Sequence, residues 1–198
     1  MNIYQLKIEL KYIEPKITRT VLVQEDFTFS ELADVLMCAF NWGGGHLWQF
    51  SFQSSGLIKG GRKALTYIAE AYDENGFETD EDQLEASELE LNEILNSERK
   101  KIEFEYDFGD SWKHEITLQK VLEKDSSLDY PICIKGARNA PPEDCGSYYG
   151  YEKILEHYAN PKKFKAEIKE FEEWFGGKYD SEYFNIDEVN EAIQENYN

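Results

Sequence analysis

The chain has 198 residues, of which 40 are acidic and 21 basic, giving a formal charge of −19. That length suits one domain burying about 70% of its unfolded surface, and 41% hydrophobic residues supply a core, so wholesale disorder is excluded. The charge disfavours nonspecific nucleic-acid binding and polybasic attachment to anionic membranes, since both need a basic footprint.

No run approaches 18 consecutive apolar residues, so no transmembrane helix is expected. The opening Met-Asn-Ile-Tyr-Gln-Leu-Lys alternates polar and apolar positions and lacks the apolar stretch of a signal peptide. Cys38, Cys133 and Cys145 are an odd, sparse set without a Cys-x-x-Cys pair. That argues against a disulfide framework and a zinc ribbon, and the expected compartment is a reducing cytoplasm.

Residues 3–13 alternate, with Leu6, Ile8, Leu10 and Tyr12 on one side and Lys7, Glu9 and Lys11 on the other, which predicts a half-buried strand. Pro15 marks a turn, and Ile17 to Val23 reads as a second strand. Thr28 and Glu31 have capping-box spacing before a helix with the stripe Leu32, Val35, Leu36, Ala39 and Phe40. Gly43-Gly44-Gly45 is expected to end it, and residues 46–52 form a third strand with His46, Trp48, Phe50 and Phe52 on one face. The glycine run lacks the Gly-Lys-Ser/Thr ending of a phosphate loop and follows a helix rather than opening one.

The stretch 64–98 holds twelve acids and no Lys or Arg, and its centre, about residues 70–86, is expected to be a solvated loop. Ser87 and Glu90 suggest a short helix after it. Segments 102–108 and 112–122 alternate on either side of Gly109-Asp110-Ser111, a strong hairpin signal. Tyr130 to Lys135 suits another short strand, and the prolines of Asn139 to Ser147 exclude regular structure there. Three helices follow. The first spans Tyr151 to Tyr158, and the second opens at Pro161 with a stripe Phe164, Ile168, Phe171, Trp174 and Phe175. The third is capped by Asn185 and Glu188 before Val189 to Ile193. Intermixed strands and helices with much of the β structure in hairpins make an α+β fold, with neither an internal repeat nor a linker long enough to divide residues 1–198.

Three segments stop looking generic: Asn41-Trp42-Gly43-Gly44-Gly45-His46-Leu47-Trp48-Gln49-Phe50, Tyr106-Asp107-Phe108-Gly109-Asp110-Ser111-Trp112-Lys113-His114, and Pro141-Pro142-Glu143-Asp144-Cys145-Gly146 with Gly150-Tyr151. In this order they resemble the plasmid pRiA-type ORF-three-like family. The opening Tyr4 to Ile8 and the closing Phe184 to Asn190 also match its pattern. The resemblance implies a compact αβ-roll domain with a mixed or antiparallel sheet, of a kind found on bacterial plasmids, mobile elements and chromosomes. It implies no established activity. The family often has a second His where Trp48 stands here and a Cys where Ala140 stands, so two plausible metal ligands of its pattern are absent.

Two readings of the motif residues stay open. In the first, a non-enzymatic binding domain has a cleft where the three motifs converge, presenting Trp42, His46, Trp48, Tyr106, Trp112 and His114. In the second, Asp107, Asp110, Glu143 and Asp144 serve a metal-dependent hydrolase or nuclease-like enzyme, with Cys145 as a candidate nucleophile if its pKa is lowered. Its divalent metal would be held by Asp107, Asp110, His114 and His46. Strand parity speaks against joining Asp107 with His114 unless a bulge intervenes. The plainer structural roles are an Asx turn made by Asp110, a satisfied half-buried His114, an acidic helix cap at residues 143–144, Cys145 as an apolar plug and His157 facing solvent. The acidic stretch could also present a basic protein partner with a decoy of a nucleic-acid backbone.

Overall fold

Alternation along the first strand sets the direction of the whole core. In the computed structural model, which describes residues 1–57, 63–70 and 83–197, β1 (Asn2–Leu10) buries Tyr4, Leu6, Ile8 and Leu10 on one face and turns Lys7 and Glu9 to the other. It pairs antiparallel with β2 (Thr18–Gln24) on one side and β7 (Trp112–Glu123) on the other. The expected hairpin is present, β6 (Lys101–Tyr106) pairing with β7 so that Phe104 faces His114 and Tyr106 faces Trp112. With β3 (Trp48–Leu57), β4 (Lys63–Ala69), β5 (Leu84–Glu85) and β8 (Ile132–Ala137) the order is β5-β4-β3-β6-β7-β1-β2-β8. Only β4 and β5 run parallel, so the sheet is mixed and the fold is α+β.

Helices cover the apolar face. The first, α1 (Phe29–Phe40), starts as its spacing predicts: the Glu31 N–H donates to Thr28 Oγ1 (3.2 Å) and the Thr28 N–H donates to Glu31 Oε2 (2.7 Å). It seats Phe29, Leu32, Val35, Leu36, Ala39 and Phe40 on the sheet, with Phe29 edge-on to Phe50 at 5.0 Å. After the single turn α2 (Leu91–Ile94) come α3 (Ser147–Ala159), α4 (Lys165–Phe175) and α5 (Ile186–Tyr197). Asn190 of α5 pairs with the backbone of Cys133 in both directions, and the Tyr197 hydroxyl donates to the Glu31 carbonyl (2.6 Å), fixing α5 across β8 and α1. Arg19 lies buried between the rings of Phe40 and Phe184 and donates to the carbonyls of Ala39, Thr18 and Ala137. A side chain on Gly136 would collide with that Phe184 ring, at 2.3 Å.

Several expectations are corrected. β1 ends at Leu10, and Tyr12 sits at φ 64 with 69% of its surface exposed rather than in the core. The end of α1 is set by Asn41 in the left-handed conformation (φ 55), two residues before the glycine run. Strands β4 and β5 have no counterpart in the sequence reading. Pro161 lies in a turn, and α4 starts at Lys165 with no fully buried residue. His157 is not solvent-facing but half-buried, stacked on Phe164 at 4.5 Å. The short helix after the acidic stretch is capped by Glu90 and Glu93 rather than by Ser87. Most of the expected acidic loop, residues 71–82, lies outside the described residues.

The core is richly aromatic, and its one histidine is a deliberate irregularity in an apolar layer. Phe104 and Trp112 are wholly buried, the face that alternation predicts. Emptying either would cost about 3–5 kcal/mol, a large share of an ordinary domain's stability. His114 is packed among Phe40, Trp42 and Phe104, with ring centroids 4.7, 5.3 and 5.6 Å away, and its burial outweighs the polar contact its ring makes with the backbone of Phe104 and Trp112. Burial holds its pKa at about 3, against 6.5 for a free imidazole. The unfolded chain therefore takes up a proton at His114 that the folded chain refuses, so this contribution to stability is complete above pH 6.5 and is lost as pH falls toward 3. We predict that His114→Phe flattens the pH dependence of urea-unfolding stability between pH 6.5 and 4, by up to about 1.4 kcal/mol per pH unit. Parallel curves for wild type and variant would refute the assignment.

Candidate functional site

Trp42 is placed by the end of α1. The left-handed Asn41 turns the chain so that the Trp42 N–H donates to the Met37 carbonyl, and the indole slides between Phe40 (5.3 Å) and Tyr106 (5.1 Å). Its indole N–H then donates to the Pro141 carbonyl at 2.9 Å, the first link between two motifs. The next residue supplies the second link: the Gly43 N–H donates to Glu143 Oε2 at 2.7 Å. The other oxygen of that carboxylate accepts the Tyr106 hydroxyl at 2.5 Å. Burial, then Glu143, push the Tyr106 pKa well above its ordinary value, so its hydroxyl remains a donor. One carboxylate thus ties all three motif segments together.

The second segment leaves its strand at Asp107. Its backbone is left-handed (φ 56), which breaks the two-residue alternation and folds the side chain inward. Asp107 Oδ1 accepts the N–H groups of Gly109 (2.9 Å) and Asp110 (3.3 Å), so the Asx turn expected of Asp110 belongs to Asp107. Asp110 is half-buried and reaches the third segment instead. Its Oδ2 accepts the Gly146 N–H (3.3 Å), and its carbonyl accepts the Ser147 hydroxyl (2.6 Å). The third segment turns into α3 so tightly that a Cβ on Gly150 would lie 1.8 Å from the Cys145 carbonyl oxygen, which only glycine permits. Four of the seven non-glycine residues with positive φ among those described (Asn41, Asp107, Ser111 and Asp144) fall on these segments, and a fifth, Ser147, directly follows Gly146. In proteins generally, backbone of this kind clusters at binding and catalytic sites.

Around this junction His46 stands between two carboxylates. Its Nδ1 lies 3.9 Å from Asp107 Oδ1 and its Nε2 lies 3.2 Å from Asp144 Oδ1. One donor atom from each of the three residues falls within a 4.8 Å group, the spacing of ligands around one metal ion. The Asp107 side chain is 11% exposed, His46 34% and Asp144 68%, so the group is held from below and open to solvent on one side.

The other sequence candidates lie elsewhere. His114 and Trp112 are in the core, a layer beneath the group, and Trp48 packs edge-on to Phe50 at 5.6 Å. Parity kept His114 apart from Asp107, and no bulge reunites them. Cys145 is half-buried, and burial followed by the Asp110 charge pushes its thiol up to about 12. The lowered pKa on which a Cys145 nucleophile depended is therefore not what its surroundings favour, and they suit the apolar plug that was the plainer reading. Sequence reasoning missed Tyr148, whose hydroxyl accepts the Lys113 N–H (2.8 Å) and donates to the Ser111 carbonyl (2.9 Å), sealing the hairpin against α3. The run Ser147-Tyr148-Tyr149-Gly150-Tyr151 beside the third motif was the available signal.

A family model described as plasmid pRiA4b ORF-3-like protein matches residues 2–188. The chain belongs to this family. It is similar to an uncharacterized protein, y4hQ, of Sinorhizobium fredii (strain NBRC 101917 / NGR234), at 28% identity over 196 residues, covering 98% of this chain and 92% of that protein. It is also similar to a crystal structure of a protein of unknown function, MM3350, from Methanosarcina mazei Go1. That likeness has a TM-score of 0.80 and 31% identity, and it covers 95% of this chain and 96% of the other. Family membership and fold therefore agree over nearly the whole chain, and no helix among the described residues is long and apolar enough to cross a membrane.

All three thiols have raised pKa values, Cys38 and Cys133 through burial as well, so the reactive thiolate is scarce at neutral pH. We predict that a disulfide reagent such as Ellman's labels the native protein at pH 8 far more slowly than free cysteine. Three equivalents should react after unfolding. Rapid labelling of native Cys145 would contradict its placement.

Proposed function

We propose that this protein is a binding domain whose three motif loops hold a divalent cation, with His46, Asp107 and Asp144 as the protein ligands. The observation that carries this reading is the convergence of one imidazole and two carboxylates within 4.8 Å, drawn from three segments far apart in sequence. A mixed nitrogen and oxygen donor set suits Zn²⁺ or Mn²⁺ better than Ca²⁺. Three donors leave further coordination positions for water or for a ligand group from outside. The −19 charge of the chain raises the local concentration of cations.

Binding is supported over metal-dependent hydrolysis by the occupation of the remaining candidates. Glu143 accepts two hydrogen bonds that join the loops, Asp110 accepts from the Gly146 backbone, and Cys145 is held as a thiol. Each is committed to holding the junction rather than to activating a water.

The test is elemental analysis of protein purified without chelator, followed by calorimetric titration with Zn²⁺, Mn²⁺ and Mg²⁺. One equivalent of Zn²⁺ or Mn²⁺ is expected to bind. Asp144→Ala and His46→Ala, both at accessible positions, should weaken it at least about tenfold while leaving the fold intact. Absence of saturable binding by any of the three ions would overturn the proposal.

A further inference from the structure

The proposed cation is open to solvent on one side, and the groups around it select what can enter there. We infer that the coordination position left open by His46, Asp107 and Asp144 takes a neutral imidazole from outside the chain and refuses anions. The inference rests on the cation reading above and names the ligand class that completes it.

Asp107 and Asp144 together already cancel the charge of a divalent ion. Asp110 and Glu143 stand in the same junction. The Asp110 N–H donates to Asp107 Oδ1, and Glu143 directly precedes Asp144. After burial, the charges of Asp110 and Asp144 both push the Cys145 thiol up, so the two carboxylates share one neighbourhood. Among the described residues none of these four carboxylates is paired with a lysine or arginine. The nearby bases are engaged elsewhere, Lys113 with Glu103 and Glu105 and Arg138 with Glu182. Four carboxylates against one divalent ion leave the loaded junction negative, which a phosphate or carboxylate would have to overcome at short range.

An anion site also aims backbone N–H groups at its ligand. Here the Gly43 N–H is taken by Glu143, those of Gly109 and Asp110 by Asp107, and that of Gly146 by Asp110. The turns that could cradle an anion are folded round the protein's own carboxylates instead.

A neutral nitrogen donor meets neither obstacle. Imidazole is uncharged in the form that ligates, and it suits the ions that a mixed nitrogen and oxygen set favours. A second copy of the chain is poorly equipped to supply it. Of the three histidines, His46 is already a ligand, His114 is buried, and His157 is half-buried and stacked on Phe164. The donor is therefore a free imidazole compound or a histidine on a different protein.

The experiment uses Co²⁺, whose visible absorption reports each change of coordination. Co²⁺ is first titrated into chelator-free protein, and absence of saturable binding would sink the cation reading and this inference with it. The loaded protein is then titrated with imidazole, phosphate, acetate and the peptide acetyl-Gly-His-Gly-amide. Imidazole should bind at least about tenfold more tightly than phosphate or acetate, a preference several-fold wider than Co²⁺ in nitrilotriacetate shows. Asp110→Asn, which removes a charge and keeps an acceptor for Gly146, should narrow the preference over phosphate several-fold. Raising sodium perchlorate to about 300 mM should narrow it in the wild type as well. Peptide binding as tight as that of imidazole assigns the donor to a histidine on another protein, and weaker peptide binding assigns it to a small molecule. Co²⁺ binding followed by phosphate or acetate binding as tight as that of imidazole would overturn the inference and leave the cation reading standing. A preference altered by neither Asp110→Asn nor salt would overturn it too.

Discussion

The structure depends on one shared carboxylate. Glu143 accepts the backbone N–H of Gly43, one hundred residues away in sequence, and the hydroxyl of Tyr106, thirty-seven residues away. Hydrogen bonds to a charged acceptor in a partly buried setting are stronger than neutral ones, and losing such an acceptor strands its donors. Trp42 reinforces the clamp from within, stacked on Tyr106 and bonded to the carbonyl of Pro141. The consequence follows from adjacency. Asp107 is the residue after Tyr106, Asp144 the residue after Glu143, and His46 lies three beyond Gly43. Fixing the clamp fixes the residues that surround the proposed cation.

This division of labour accounts for the mixture of chemistries at the junction. An apolar layer of Phe40, Trp42, Phe104 and Trp112 supplies the floor and tolerates in His114 an imidazole kept neutral by burial. Above it lies a polar layer whose members either join loops, as Glu143 and Asp110 do, or face outward, as His46 and Asp144 do. Left-handed backbone at Asp107 and Asp144 aims both carboxylates toward the same imidazole.

Much of the fold was legible because its elements obey simple periods. Alternation exposed β1, β6 and β7, and the Thr28–Glu31 spacing gave the start of α1 through bonds that the structure contains. Strand β4 escaped because Leu65-Thr66-Tyr67-Ile68-Ala69 has little polar alternation and runs into a block of acids whose charge dominates any reading of composition. Strand β5, at two residues, is too short to carry a period. At the site, parity correctly held His114 with the core yet misplaced Asp107, because a left-handed residue at a strand end reverses the face that alternation assigns. The distinct duties of the adjacent acids Glu143 and Asp144 were not readable. They depend on which oxygen meets which loop, and that is a property of the assembled junction alone.

The clamp itself is tested most directly by a double-mutant cycle of Tyr106→Phe and Glu143→Gln, read as unfolding free energy at constant pH. The account predicts a coupling of about 1–3 kcal/mol between the two positions, since each variant removes the same charge-assisted hydrogen bond. Additive effects, with coupling below about 0.5 kcal/mol, would contradict the claim that this carboxylate draws the three segments together.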